Sequence, residues 1–495
     1  MSYSDYKEQL QKIADINYSS ALLSWDQEVH MPPKGAEIRA RQLSTLAGVA
    51  HDMLTAESFG VLLNALKVDT SLSKKESKNI ALSLKDYTNR KKYSREFVEL
   101  MSKTISQTFQ AWQEAKEKND FSIYAPQLEK LVKLKREECT ILGYKEHPYD
   151  ALLDQYEPEI KTSDLTMLFS DVRIQLVDFV KKIAEKPQIK GDFMFQYFDK
   201  DTQWKFGLDL LKQMGYDLEA GRQDISSHPF TINFNSHDVR VTTRVNENNL
   251  HEMIWSCIHE GGHALYEQGL DFNDYGLPSA EAISLGIHES QSRLWENNIG
   301  RSFGYWKQNF PLIQSYFPEQ LKNVTVADFY KAMNLVEPSL IRTSADELTY
   351  HFHILIRFEI EKALIEGGIE VSDLPAQWNK KYKEYLGIDV PNDSHGVLQD
   401  IHWSHGSFGY FPTYSLGSFY AAQFLKQAKN EIPTLESEIE NGNMKPLLDW
   451  LRIKVHGHGK YYSAEELCIM ICGEKLNFSH FMEYVKVKYS DLYKL

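Results

Sequence analysis

Apolar residues recur at helical spacing through the first two hundred positions. AEIRARQLSTLAGVAHDMLT sets Ile38, Leu43, Leu46 and Val49 on one face of a helix over 36–55. APQLEKLVKLKREECTILG repeats the pattern with Leu128, Leu131 and Leu134, and Gly143 supplies a helix stop. LTMLFSDVRIQLVDFVKKIAEK, from Leu165, is a third such segment, and Pro32, Pro33, Pro148 and Pro158 punctuate the series. Near residue 225 the period changes. SSHPFTINFNSHDVRVTTRVNENNL is rich in Thr, Val, Asn and Phe, alternates with period two, and predicts a short strand pair. Helical patterns then resume to the end, with Ser463 three residues before Glu466 as a capping box. YHFHILIRFEIEKALIEGG alternates Phe352, Ile354, Ile356, Phe358 and Ile360 as a strand would. A second capping box, Ser344 with Glu347, and the Gly367-Gly368 stop bracket a segment too long for a usual strand, so it predicts a helix buried on most sides. With no repeat and no long linker, residues 1–495 predict one mostly α-helical domain carrying a very small β-sheet.

Composition narrows the function classes. A hydrophobic share of 42% and a charged share of 25% are ordinary for a soluble globular protein. The net charge of −14 argues against a nucleic-acid binder, because no basic excess neutralises phosphates. Lys74-Lys75 and Arg90-Lys91-Lys92 read as solvated helix faces. The N-terminal segment lacks the pattern of a secretory signal, and no stretch approaches the ~20 apolar residues that span a bilayer. Cys139, Cys257, Cys468 and Cys472 form no disulfide framework, which fits a cytoplasmic location.

The candidate chemistry is concentrated in SCIHEGGHALYEQG, Ser256 to Gly269. Residues four apart on a helix sit ~40° apart in azimuth and ~6 Å along the axis, so His259 and His263 can present imidazoles to one ion. Glu260 can then reach the attacking water. Against this stands Gly261-Gly262, since each glycine costs a helix about 1 kcal/mol relative to alanine. A catalytic ion needs a third protein ligand. The helical segment AEAISLGIHESQSRLWENN offers Glu281, His288, Glu289 and Glu296, and spacing alone leaves all four open.

HEGGHALYEQG together with HESQSRLWEN resembles the carboxypeptidase Taq family of metallocarboxypeptidases. HPF at His228, DVRVT at Asp238, IRTSAD at Ile341 and GVLQDIHW at Gly396 are further marks of it, as are LLSWDQEVHMPP and GYFPTYSLGSFYAAQ. The resemblance covers nearly the whole chain. It implies a helical molecule with two lobes around a deep groove, a homodimer, and removal of the C-terminal residue from peptides with broad preference. By resemblance, His259, His263 and Glu289 would ligate one divalent ion, zinc by default with cobalt able to substitute, and Glu260 would act as general base. Arg342 would clamp the substrate carboxylate through its guanidinium fork, with Arg240 as a rival and one of the two serving a structural ion pair. His402 and Tyr414, with Tyr410 close behind, would stabilise the oxyanion, and His228 would line the cleft. Asp346 would orient a ligand histidine or complement a helix N-terminus, and the pairs His351/His353 and His456/His458 read as structural. Gly261 and Gly262 would keep side chains out of tight packing behind the site. The rivals are an oligopeptidase or dipeptidyl carboxypeptidase of similar chemistry, and a silent peptide-binding protein; retention of Glu260 and the ligands speaks against the second.

Overall fold

In the computed structural model, which describes residues 2–495, the three amphipathic segments form helices over Ala36–Thr55, Phe121–Leu142 and Thr162–Ala184. The second begins before its apolar repeat, where the Asp120 side chain accepts from Ser122 N, and it ends at Gly143 with φ 83°. Its Leu128, Leu131 and Leu134 are buried. In the first, the expected face is covered only in part: Leu43 and Leu46 are half-buried, whereas Ile38 and Val49 are 50% and 43% exposed and Ala50 is buried. Spacing sets a helix's period, but packing against Tyr3–Val29 decides which stripe is covered.

The expected strand pair belongs to a three-stranded sheet of β1 (Gly221–Ile225), β2 (Thr231–Asn235) and β3 (Asp238–Thr243), in the order β1-β3-β2. β3 pairs antiparallel with β2 and parallel with β1, Arg222 standing opposite Arg240. β1 escaped the sequence pattern because GRQDI has no apolar alternation. The ambiguous segment is the helix Tyr350–Glu366, closed by Gly367 at φ 85°. It starts later than the Ser344 box implies. Arg342–Ser344 is instead a short 3-10 turn, and the Asp346 carboxylate holds the turn that leads into the helix by accepting from Leu348 N at 2.8 Å and Thr349 N at 3.0 Å. The Ser463–Glu466 capping box forms as expected.

The chain divides into two compact units, each assembled from separated stretches. The first comprises residues 1–91, 190–333 and 420–476. Its centre is the motif helix Leu250–Glu267, packed on β3, on Lys200–Met214 and on Leu285–Arg293. Leu250, Met253, Ile254, Ile258 and Leu265 are buried there, each contributing about 1.5–3 kcal/mol of burial free energy. The second unit comprises residues 92–189, 334–419 and 477–495. Tyr350–Glu366 packs there against Phe121–Leu142, Thr162–Ala184 and Leu374–Leu386, with Phe358 edge-on to Phe169 at 5.1 Å. No helix among the described residues is long and apolar enough to cross a membrane.

Candidate active site

The motif helix runs unbroken through both glycines. A Cβ on Gly262 would stand 2.7 Å from Gln291 O and Ser292 Cα, so the missing side chain lets the backbone of Leu285–Arg293 close on the motif helix. A Cβ on Gly261 would meet Leu211 Cδ2 at 2.8 Å. That second helix carries Glu289, and the close approach brings its carboxylate to the imidazoles. Glu289 Oε2 lies 3.3 Å from His263 Nε2 and 3.7 Å from His259 Nε2. The ligand atoms of the three residues all lie within 4.8 Å of one another. A tetrahedral ion with arms of about 2.0–2.2 Å keeps its ligand atoms roughly 3.3–3.6 Å apart, so the set fits one ion.

Both imidazoles are oriented for that task. His259 Nδ1 meets Glu296 Oε2 at 2.8 Å, and His263 Nδ1 meets the His288 carbonyl at 3.1 Å. With each Nδ1–H donated to an oxygen, each Nε2 keeps its lone pair towards Glu289. Glu296 is itself held by Arg293 Nη1 and Arg301 Nη2, both at 3.2 Å. Arg293 Nε also donates to Glu289 Oε1 at 2.6 Å. Burial opposes ionisation of Glu289, but Arg293 and His259 outweigh it and hold the carboxyl well below the usual range. Glu296 is held low in the same way, against burial, first by Arg293. The other candidates are engaged elsewhere: His288 Nε2 bonds Glu267 at 2.8 Å while its ring stacks on His263, and Glu281 pairs with Lys460. Glu260 accepts from Thr231 Oγ1 on β2 at 2.7 Å, and burial pushes its carboxyl up.

Arg240 and His228 belong to the same unit. Arg240 makes a bidentate pair with Asp238 at 2.9 Å and lies between the rings of Trp25 and Phe234. His228 is exposed, and its carbonyl accepts from Ser226 Oγ.

The second unit gathers the remaining expected residues. Arg342 Nη2 lies 3.0 Å from Asp400 Oδ1, its Nε 3.2 Å from both carboxylate oxygens, and its Nη1 3.2 Å from the Tyr350 hydroxyl. Gln399 Oε1 accepts the Arg342 backbone N–H at 3.0 Å. His402 Nε2 meets the Tyr414 hydroxyl at 3.3 Å, and the Tyr410 and Tyr414 rings lie 5.1 Å apart. Burial keeps His402 neutral, lowering it to about 3. His351, His353 and His456 are core histidines, bonded to Ser415, Tyr382 and Gln291. The sequence reading missed Thr231, Arg293, Arg301 and Asp400 as partners. The regular positions of Arg293 and Glu296, four and seven residues after Glu289, were the available signal.

Comparison with known proteins agrees with this geometry. The family model described as carboxypeptidase Taq (M32) metallopeptidase matches residues 5–489. Carboxypeptidase 1 of Bacillus subtilis is 40% identical, over 98% of this chain and 97% of its own. Thermostable carboxypeptidase 1 of Thermus thermophilus is 38% identical over 99% of both chains. The crystal structure of M32 carboxypeptidase from Deinococcus radiodurans superposes with a TM-score of 0.98 at 36% identity, covering 100% of this chain and 99% of that one.

Proposed function

The chain belongs to the carboxypeptidase Taq (M32) metallopeptidase family, a family of metal-dependent peptide hydrolases, and we propose that it removes the C-terminal residue from peptides with broad preference. The observation that carries this reading is the donor set itself: two imidazoles with committed Nδ1 atoms, one ionised carboxylate, and a glutamate next to the first ligand. Bound there, a divalent ion, zinc by the chemistry of two imidazoles and one carboxylate, would polarise the scissile carbonyl and acidify water. Glu260 takes the proton from the attacking water and returns it to the leaving amine, and Thr231 holds the carboxylate oriented for both transfers. His402 and Tyr414, with Tyr410 as the alternative phenol, donate to the oxygen on which charge develops.

Arg342 is the carboxylate clamp of this reading. Asp400 and Tyr350 engage three of its five N–H donors, which leaves two for a substrate carboxylate. Both Arg240 and Arg342 pair with an aspartate beside aromatic rings. The family resemblance assigns the clamp to Arg342 and the structural ion pair to Arg240, and makes His228 a further substrate contact. Neither compact unit is a continuous stretch of chain, which supports treating 1–495 as one catalytic domain. The family resemblance supports a homodimer, testable by sedimentation, and the cysteine pattern supports a cytoplasmic location. Cobalt would serve as a substitute ion, and the acidic surface suits peptide partners and not nucleic acid.

Mass spectrometry of a peptide mixture tests the reading. The expected result is stepwise loss of single C-terminal residues, abolished by a chelator and restored by zinc or cobalt. Equal cleavage of C-terminally amidated peptides would overturn the clamp role and favour an oligopeptidase.

A further inference from the structure

Residues 401–411 of the second unit form turns without regular structure, yet both sides of this loop are tied to one buried carboxylate. Glu361 and Arg357, one turn apart on Tyr350–Glu366, have side chains that are fully buried, with Arg357 Nε 3.2 Å from Glu361 Oε1. Glu361 Oε1 also accepts from Trp403 Nε1 at 2.9 Å. Its Oε2 accepts from Gly409 N at 2.9 Å and from the Tyr149 hydroxyl at 2.7 Å. Trp403 directly follows His402, and Gly409 directly precedes Tyr410.

Arg357 is arranged around the same loop. Its guanidinium lies 3.6 Å from the centre of the Trp403 ring and 4.5 Å from that of Phe411, and neither Nη atom has a hydrogen-bond partner among the described residues. One member of the ion pair therefore grips the indole N–H while the other covers the indole face. At Gly409, φ is 91° and a Cβ would stand 2.8 Å from Leu152 C, so the turn that aims its N–H at Glu361 requires glycine. A well-packed apolar pair is commonly as stable as a buried ion pair, so stability alone does not account for two buried charges here.

We propose that Glu361 is a positioning residue: through Trp403 and Gly409 it fixes the loop that presents His402 and Tyr410 and leads into the helix carrying Tyr414. The proposal rests on the reading above that His402 and Tyr414 serve the reaction. Tyr149 supplies the control, because its hydroxyl bonds the same carboxylate from outside the loop.

The test measures kcat and KM of the metal-loaded enzyme on an N-blocked dipeptide. Trp403→Phe keeps a ring over Arg357 and deletes only the N–H; kcat should fall roughly tenfold with KM little changed, as expected for misplaced catalytic groups. Tyr149→Phe should stay within about twofold of wild-type kcat despite losing a bond to the same carboxylate. On a His402→Ala background, Trp403→Phe should cost little more, because the Trp403 bond acts through its neighbour His402 while the Gly409 bond, untouched, holds the Tyr410 side. Wild-type kcat in Trp403→Phe, an equal loss in Tyr149→Phe, or full multiplication of the two losses overturns the proposal. If Trp403→Phe does not fold, the double change Glu361→Gln with Arg357→Met, which leaves no unpaired buried charge, takes its place in the same cycle. Wild-type kcat in His402→Ala is a separate outcome: it overturns the role given to His402, and the positioning role with it.

Discussion

Glu260 and Glu296 are both buried carboxylates close to His259 in the structure or the sequence, and their neighbours set them different tasks. Glu296 faces Arg293 and Arg301, remains charged, and spends an oxygen on His259 Nδ1. Glu260 has one hydroxyl, from Thr231, and no guanidinium. Substituting each by its amide separates the tasks. Glu260→Gln should lower kcat by roughly 10²–10⁴-fold, the usual worth of a general base, with one ion per chain retained. Substantial turnover in that variant would remove Glu260 from the mechanism. Glu296→Gln should instead weaken metal affinity by about 10–100-fold, read by competition with a chromogenic chelator. Unchanged affinity would mean that the Glu296–His259 bond does not orient the ligand.

At the level of elements, the metal centre depends on how closely two helices approach. Gly262 stands against backbone of Leu285–Arg293, whereas Gly261 stands against the flexible ends of Leu211 and Met214. Alanine gains about 1 kcal/mol of helix propensity at either position. At 262 the cost of overpacking, about 1–3 kcal/mol, falls on backbone that cannot rotate away, and it displaces Glu289. Gly262→Ala should therefore lose metal affinity and melt earlier, while Gly261→Ala stays close to wild type. Equal behaviour of the two in a metal titration and a melt would refute this account. The glycines also show what the sequence made legible. The two histidines and the base could be read from an i, i+4 spacing, because a helix fixes that geometry locally. The third ligand could not, because Glu281, His288, Glu289 and Glu296 differ only in what tertiary packing sets opposite them: Lys460, Glu267, the imidazoles and two arginines. β1 and the start of Tyr350–Glu366 were lost for the same kind of reason. GRQDI is made a strand by its partner β3, and the Ser344 box was outcompeted by an Asp346 carboxylate already aimed at two backbone N–H groups.

Across the whole molecule, buried histidines tie stability to pH. His353 is 2% exposed and bonds the Tyr382 hydroxyl through Nδ1 at 2.8 Å; burial, then the charge of Arg342, lowers it to about 3. An unfolded histidine titrates near 6.5, so between about 6.5 and 3 the unfolded chain takes up a proton that the folded one refuses. Stability then falls as pH falls, by about 1.4 kcal/mol per pH unit for each such histidine, or about 2 kcal/mol at pH 5. His456, lowered by burial and then by Arg452, adds in the same direction. Asp400 does not act in this window. Arg342 outweighs burial to lower its folded value, so its stabilising contribution is complete above about 3.9, the usual unfolded value, and is lost only at lower pH. His353→Gln isolates the effect from the titration of the metal ligands, which is common to both proteins. At pH 7.5 the variant should be less stable, having exchanged a fitted imidazole for a looser amide. By pH 5 the gap in unfolding free energy should narrow by about 2 kcal/mol, because only wild type still excludes the proton at that position. A gap that is constant from pH 7.5 to 5 in denaturant titrations would show that His353 takes up a proton as readily folded as unfolded, which its burial and the nearby Arg342 charge oppose.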